Sequence, residues 1–384
     1  MITEKEKTTV PIPSVGADGE QPLSKTHEQS ITDDFSENNP LNQNLDEIYW
    51  QMRRLNDPAY LHTVSMNELY ENVYQSRPPI IDGLLCAGTY LFVGAPKVGK
   101  SFLMAQLAYH VSIGLSLWEY PVHKGTVLYL ALEDDYRRLQ ERLYRMFGTE
   151  GTEDLYFAIY AKQLGAGLDE QLQKFVREHP DTKLIIVDTL QKIREAGGDK
   201  YSYANDYEIV GKLKQFADKN GICLLLVHHT RKQQADDKFD MISGTNGLLG
   251  AADGAFLLQK EKRTDNTATL NISGRDQPDQ RLHLIRDAER LIWQLERAET
   301  EPWKMPPDPL LDAVSSLVTA DNPQWCGSST ELVNTLGLDL KPNTLAMRLN
   351  VNAGRLLTEH SIQYENSRSH AGRKIKLALI VSEA

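Results

Sequence analysis

The sequence is poor in cysteine, with only three in 384 residues. Cys86, Cys223 and Cys326 lie far apart and form no C-x-x-C pair. A disulfide scaffold and a cysteine-based zinc site are thereby excluded. No apolar run reaches the roughly 18 residues that a transmembrane helix needs. The opening stretch, MITEKEKTTVPIPSVGADGE, lacks the apolar segment of a signal peptide, so the expectation is a cytoplasmic protein without membrane contact. Positive charge is also scarce. Lys and Arg number 42 against 53 Asp and Glu, a net charge of −11, which argues against a surface that binds nucleic acid all over. No internal repeat is present.

The charge that is there is unevenly spread. Residues 1–50 hold ten acids and three bases, so this stretch alone carries −7. Residues 341–376 hold seven bases and two acids, a local +5. An acidic arm at one end and a basic segment at the other suggest an interaction tail and a nucleic-acid contact.

The composition divides the chain. Residues 1–45 are rich in Ser, Thr, Asn, Pro, Glu and Asp, and burial could not offset the entropy of ordering them, so a disordered acidic arm is expected. Residues 46–77 carry short helical patterns, LDEIYWQMRRL and SMNELYENVYQ, and read as a helical linker arm. Over 78–300, apolar runs of strand type (TYLFVGA, GTVLYLALE, LYFAIY, KLIIVDT, ICLLLVHH, GAFLLQ) alternate with helical stretches. That alternation predicts an α/β domain with a mainly parallel sheet covered on both faces. ATLNISGR, RLHLIRD and LIWQLE look like antiparallel strands at its edge. Residues 301–309, EPWKMPPDP, hold four prolines and form a linker. Residues 310–384 read as a small α+β unit.

The chemistry starts at Gly94-Ala95-Pro96-Lys97-Val98-Gly99-Lys100-Ser101, a full match to G-x-x-x-x-G-K-[ST], with a strand before it and a helix after it. Such a loop wraps phosphates with backbone N–H groups and adds the partial positive charge of a helix N-terminus. Lys100 is expected at the β- and γ-phosphates of ATP, Ser101 at Mg²⁺, and Phe102 completes the nucleotide-binding set. Asp188 ends the apolar strand Leu184-Ile185-Ile186-Val187 and is the second expected Mg²⁺ ligand. Glu133 closes VLYLALE, where a carboxylate can orient water for hydrolysis. Asp134 and Asp135, just ahead of a helix, are assigned to capping. His228 and His229 end ICLLLVHH, and His228 is taken as the sensor of the γ-phosphate. Arg231 follows with Lys232 as a candidate phosphate contact, with a neighbouring molecule or DNA as the alternatives.

The order of these landmarks, VGAPKVGKS, YLALED, LIIVDT, LLLVHHTRK, SGTNGLLGAADGAFLL and ISGRD, resembles the RecA-like ATPases. More narrowly it is similar to the RepA-type replicative helicases of plasmids and integrating elements, relatives of the DnaB helicases. The resemblance implies a RecA-like P-loop core, a homo-hexameric ring, and hydrolysis of ATP with Mg²⁺ between subunits. It implies that Arg275, in ISGRD, reaches a neighbour's phosphates. It also implies that Lys192–Asn205 and Lys232–Asn246 line a channel for single-stranded DNA. The C-terminal 75 residues are similar to a winged helix, with SSTELVNTLG as second helix, PNTLAMRLNVNAGRLL as recognition helix, and Arg368, His370, Arg373 and Lys374 on the wing. Such a unit contacts duplex DNA or a protein such as a primase. The acidic arm could fill the channel or dock a partner. An ATPase regulator or loader that binds DNA without unwinding it is the alternative; a DNA-binding adaptor and a small-molecule kinase fit the motifs less well.

Overall fold

The computed structural model describes residues 58–61, 63–74, 79–194, 203–230, 239, 242, 246–275, 278–299, 306–369 and 372–380. The acidic arm, Arg231, Lys232, His370 and most of the two channel segments lie outside them. Among the described residues no helix is long and apolar enough to cross a membrane.

After a short helix α1 (Met66–Glu71) strands and helices alternate, with two helices in succession between β4 and β5. It runs β1 (Gly88–Gly94), α2 (Lys100–Ile113), β2 (Thr126–Ala131), α3 (Tyr136–Phe147), β3 (Leu155–Ala158) and α4 (Leu168–Glu178). It continues with β4 (Thr182–Asp188), α5 (Leu190–Ile193), α6 (Tyr203–Asn220), β5 (Cys223–His229), α7 (Asn246–Ala251) and β6 (Gly254–Gln259). Three strands follow: β7 (Thr267–Gly274), β8 (Gln280–Arg286) and β9 (Trp293–Ala298). All belong to one sheet in the order β3-β2-β4-β5-β1-β6-β7-β8-β9. Every pairing from β3 to β6 is parallel, and those from β6 to β9 are antiparallel. The mainly parallel α/β core expected from the sequence is present.

The apolar runs of β1, β2, β4 and β5 have no polar face because helices cover both sides. Alternate residues sort into two cores. Phe92, Val127, Ile186 and Val227 face α2 and α3, whereas Leu91, Leu128, Val187 and Leu226 face α4 and α6. α3 buries Leu139 and Met146 along one stripe and opens on Asp135, whose carboxylate accepts from Arg138 N at 2.8 Å. Such a cap contributes about 1 kcal/mol. Asp134, read as a second cap, instead forms a two-pronged ion pair with Arg142 at 2.7 and 3.2 Å.

The C-terminal unit contains α8 (Pro309–Ser315), β10 (Gln324–Gly327), α9 (Ser329–Leu336), α10 (Pro342–Val351), α11 (Ala353–His360), β11 (Ile362–Ser369) and β12 (Gly372–Leu379). Its sheet is antiparallel, ordered β10-β12-β11. Two sequence expectations change here. The recognition helix is not continuous: it breaks at Asn352, whose side chain turns back to donate to Arg348 O at 2.8 Å. Arg348 and Arg355, expected on one helix face, stand on successive helices and grip the linker: Arg348 donates to Asp308 at 2.8 Å, and Arg355 to Pro306 O at 3.0 Å and to Glu359. The buried Asn350 of α10 uses all its bonding capacity. It donates to Tyr70 O and Glu71 O at 2.9 and 3.0 Å, and it accepts from Tyr364 Oη and Asn366 Nδ2 at 2.8 and 2.9 Å. The α1 arm is thereby fastened to the C-terminal unit.

Candidate nucleotide site

The carboxyl ends of the parallel strands form one edge of the sheet, and at some boundaries neighbouring strands send their chains to opposite faces. β1 and β2 lead into helices on one face, β4 and β5 into helices on the other. Crevices therefore open between β1 and β5 and between β2 and β4, the places where open α/β sheets bind ligands. The phosphate loop sits at the first and Glu133 at the second.

The loop is held from below. At Gly94 a Cβ would meet Leu258 O at 2.6 Å, so only glycine permits β6 to pass this close. Gly99 ends the loop with φ 111° and caps α2, and a Cβ there would lie 2.8 Å from Trp293 Cζ2. Ala95, Pro96 and Lys97 stand exposed at the tip, Lys97 with a left-handed φ of 66°, while Val98 is buried beneath them. Trp293 is the fully buried floor of this arrangement. Gln106 brackets its backbone by accepting from Trp293 N at 2.7 Å and donating to Trp293 O at 2.8 Å. Phe102 faces Arg286 and Arg142, whose guanidinium carbons lie 4.2 and 5.1 Å from the ring centroid.

Lys100 is 6% exposed, and its Nζ donates to Gly94 O at 2.8 Å and to Ala95 O at 3.1 Å. Burial lowers its pKa to about 8, although Asp188 and Glu133 pull the other way. The histidine beside it is His229, whose Nδ1 lies 3.2 Å from Lys100 Nζ. Burial, and then the charge of Lys100, lower the pKa of this imidazole. His228, the residue singled out from sequence, is buried on the opposite face. The cause is the two-residue period of β5: Cys223, Leu225 and Val227 face α2, and His229 continues that series.

Asp188 ends β4 on the same face and is buried. Tyr129 Oη donates to its Oδ2 at 2.8 Å, and the Ser101 side chain bonds it too. Burial raises its pKa, and those two hydrogen bonds oppose the rise. A serine hydroxyl touching a carboxylate is a pair of hard oxygens of the kind Mg²⁺ takes alongside water and phosphate. Glu133 lies just past β2, exposed, and accepts from Thr189 Oγ1 at 3.3 Å. Sequence reasoning missed Tyr129, Thr189, Gln106, Trp293 and His229. For His229 the strand's alternation signalled only that it and His228 face opposite ways. For the others it was not, because their partners are distant in the chain.

Arg275 lies at the opposite edge of the sheet. Its N donates to Asp253 O at 2.9 Å, and its Nη2 to Gly250 O at 3.0 Å. Arg194, expected on a mobile DNA-facing loop, is buried in a 2.9 Å ion pair with Asp206.

Residues 55–235 match the family model described as AAA domain. No curated protein matches the chain. Among solved structures, the ATPase domain of G40P is 15% identical, with 68% of this chain and 99% of that chain covered, at a TM-score of 0.48. A DnaB-like replicative helicase, described with its interactions with primase, is 17% identical, with 66% of this chain and 72% of that chain covered, at a TM-score of 0.47. The AAA domain match encloses the phosphate loop, Glu133, Asp188 and His229.

Proposed function

We propose that the chain is an ATP-hydrolysing, ring-forming DNA helicase of the RepA type, serving replication of a plasmid or mobile element. One observation carries the reading. Lys100, Ser101, Asp188, Glu133 and His229 converge at one edge of the sheet, whereas Arg275 stands at the other. Four steps along β6 separate the level of Gly254, beside Arg275, from that of Gly94, and with the step to Asp253 the gap is about 16 Å at strand rise. An arginine there serves the phosphates of a neighbouring subunit, not its own, which a ring supplies.

In this reading the loop amides and the N-terminus of α2 take the phosphates of ATP, and Lys100 leaves its carbonyls for the β- and γ-oxygens. Ser101 and Asp188 hold Mg²⁺, which neutralises charge on those oxygens. Glu133 orients the attacking water, and Thr189 steadies it. The sensor role passes from His228 to His229. With its ring at Lys100, loss of the γ-phosphate is felt at the end of β5 and in the segment that follows. The segments after β4 and β5 take single-stranded DNA, and the C-terminal unit serves as a winged helix for duplex DNA or a primase.

The test is steady-state ATP hydrolysis with and without single-stranded DNA, alongside light scattering for mass. Stimulation in a particle near six subunits is expected. Arg275→Ala and Glu133→Gln proteins, each inactive alone, should recover part of the activity when mixed, and no recovery counts against a shared site. The second reading, a regulator or loader that binds DNA without unwinding it, draws support from Arg194, Arg348 and Arg355, all committed to internal partners. Slow hydrolysis indifferent to DNA would favour it.

A further inference from the structure

We infer that the groove at the carboxyl ends of β2, β3 and β4 binds single-stranded nucleic acid, with a base stacked on Tyr160 and flanking phosphates on Lys162 and Lys192. The inference rests on the helicase reading and extends it to Tyr160 and Lys162, which no motif marked. The groove encloses about 540 Å³, and its floor is Leu132, Ile159 and Ala161. The Tyr160 ring stands 77% exposed above it. Lys162 and Lys192 are both exposed at its rim, and neither is in an ion pair among the described residues.

The site is held in shape by its own backbone. Leu164 N donates to Ile193 O at 2.9 Å, which fixes the loop bearing Tyr160 and Lys162 to the helix bearing Lys192. Lys162 N donates to Gln171 Oε1 at 2.9 Å. The Lys162 stem lies over Gly167, its Cδ 2.5 Å from where a Cβ would fall. Asp169, on the first turn of α4, is turned onto Gly165 N at 3.1 Å.

The chemistry selects the occupant. A lone phosphate would use the lysines and leave the ring and the apolar floor without a role. A nucleotide chain uses all three, since every base has a face to stack and a charge beside it. Lys192 also begins the segment expected to line the channel, so the groove continues that path outward from Glu133.

The experiment is fluorescence anisotropy of a labelled fifteen-base oligodeoxythymidine with the full chain, across a salt series, in the presence of a non-hydrolysable ATP analogue. Tyr160→Ala should weaken binding about tenfold, the effect of one lost stacking contact. Lys162→Gln should lower the slope of log affinity against log salt by about 0.7, one phosphate contact on a single strand. Unchanged circular dichroism shows that these surface variants fold. Photocrosslinking of the wild type to a bromodeoxyuridine oligonucleotide should mark the peptide containing Tyr160. Variants that match a binding-competent wild type, or crosslinks confined to other segments, overturn the groove alone. A wild type that binds no oligonucleotide at any salt overturns the helicase reading and the groove with it.

Discussion

Nucleotide affinity should depend on pH through Lys100, and the size of the effect follows from its burial. The protonated amine is the form that binds phosphate. In the free protein, burial brings its pKa down to about 8. Two phosphates beside it return the pKa to the ordinary range, since opposite charge favours the ammonium. The bound pKa thus exceeds the free one, so affinity is fully present below pH 8 and falls as pH rises through it. With apparent affinity proportional to the protonated fraction, the fraction drops from about 0.9 at pH 7 to about 0.09 at pH 9, a tenfold loss or about 1.4 kcal/mol. The neighbouring His229 does not mimic this, because burial and the charge of Lys100 lower its pKa below the ordinary imidazole value and it is already neutral across this range.

The assay is calorimetric titration with a non-hydrolysable ATP analogue and Mg²⁺ at pH 7, 8 and 9. Lys100→Arg is the control. A guanidinium keeps its charge throughout, so this variant binds more weakly at pH 7 yet shows no fall to pH 9. Lys100→Met binds most weakly and is equally flat. A wild type as flat as the arginine variant, or an arginine variant as steep as the wild type, refutes the argument that burial holds the lysine near pH 8.

Three further outcomes are expected. Tyr129→Phe removes a donor from the Asp188 carboxylate, so the acid limb of the ATPase pH profile should move to higher pH, read in a buffer series. Trp293→Ala empties the floor under Gly99 and should cost about 3–5 kcal/mol in urea denaturation, with weakened nucleotide binding. Asn350→Ala removes the donor to Tyr70 O and Glu71 O and the acceptor of the buried Tyr364 hydroxyl, and should cost about 1–3 kcal/mol in all. Limited proteolysis should then release α1, with cleavage rising between residues 72 and 79.

What the sequence made legible was chemistry that lies within a few residues. The phosphate loop is eight consecutive residues whose backbone needs, at Gly94 and Gly99, are written in the residues themselves. Asp188 ends an apolar strand and Asp135 opens an amphipathic helix; both are local facts. The parallel core was legible for the same reason, because strands buried on two faces must be apolar throughout. Errors arose where a residue's partner is remote. Asp134 looked like a cap because Arg142, two helical turns on, could not be seen to fold back on it. Arg194 looked free because Asp206 lies beyond an intervening segment.

The histidine pair and the two arginines of the C-terminal unit locate that boundary more finely. His228 and His229 offer the same imidazole, and only the facing of β5 decides which one meets Lys100. Alternation was present in the sequence, but alternation alone says that the two differ, not which of them points at the loop. That choice needs one further relation: Val227 belongs to the same core as Leu103 of α2, 124 positions away in the chain. Arg348 and Arg355 fail in the opposite way. Their seven-residue spacing predicts one helix face, yet the helix breaks between them at Asn352, and both turn to Pro306 and Asp308 of the preceding linker. Spacing therefore narrows which residues stand together, and the competition among neighbours fixes what they stand against. The Tyr160 groove is where that competition has left an exposed aromatic ring beside two lysines that are in no ion pair among the described residues, close to the strand ends that carry Glu133 and Asp188.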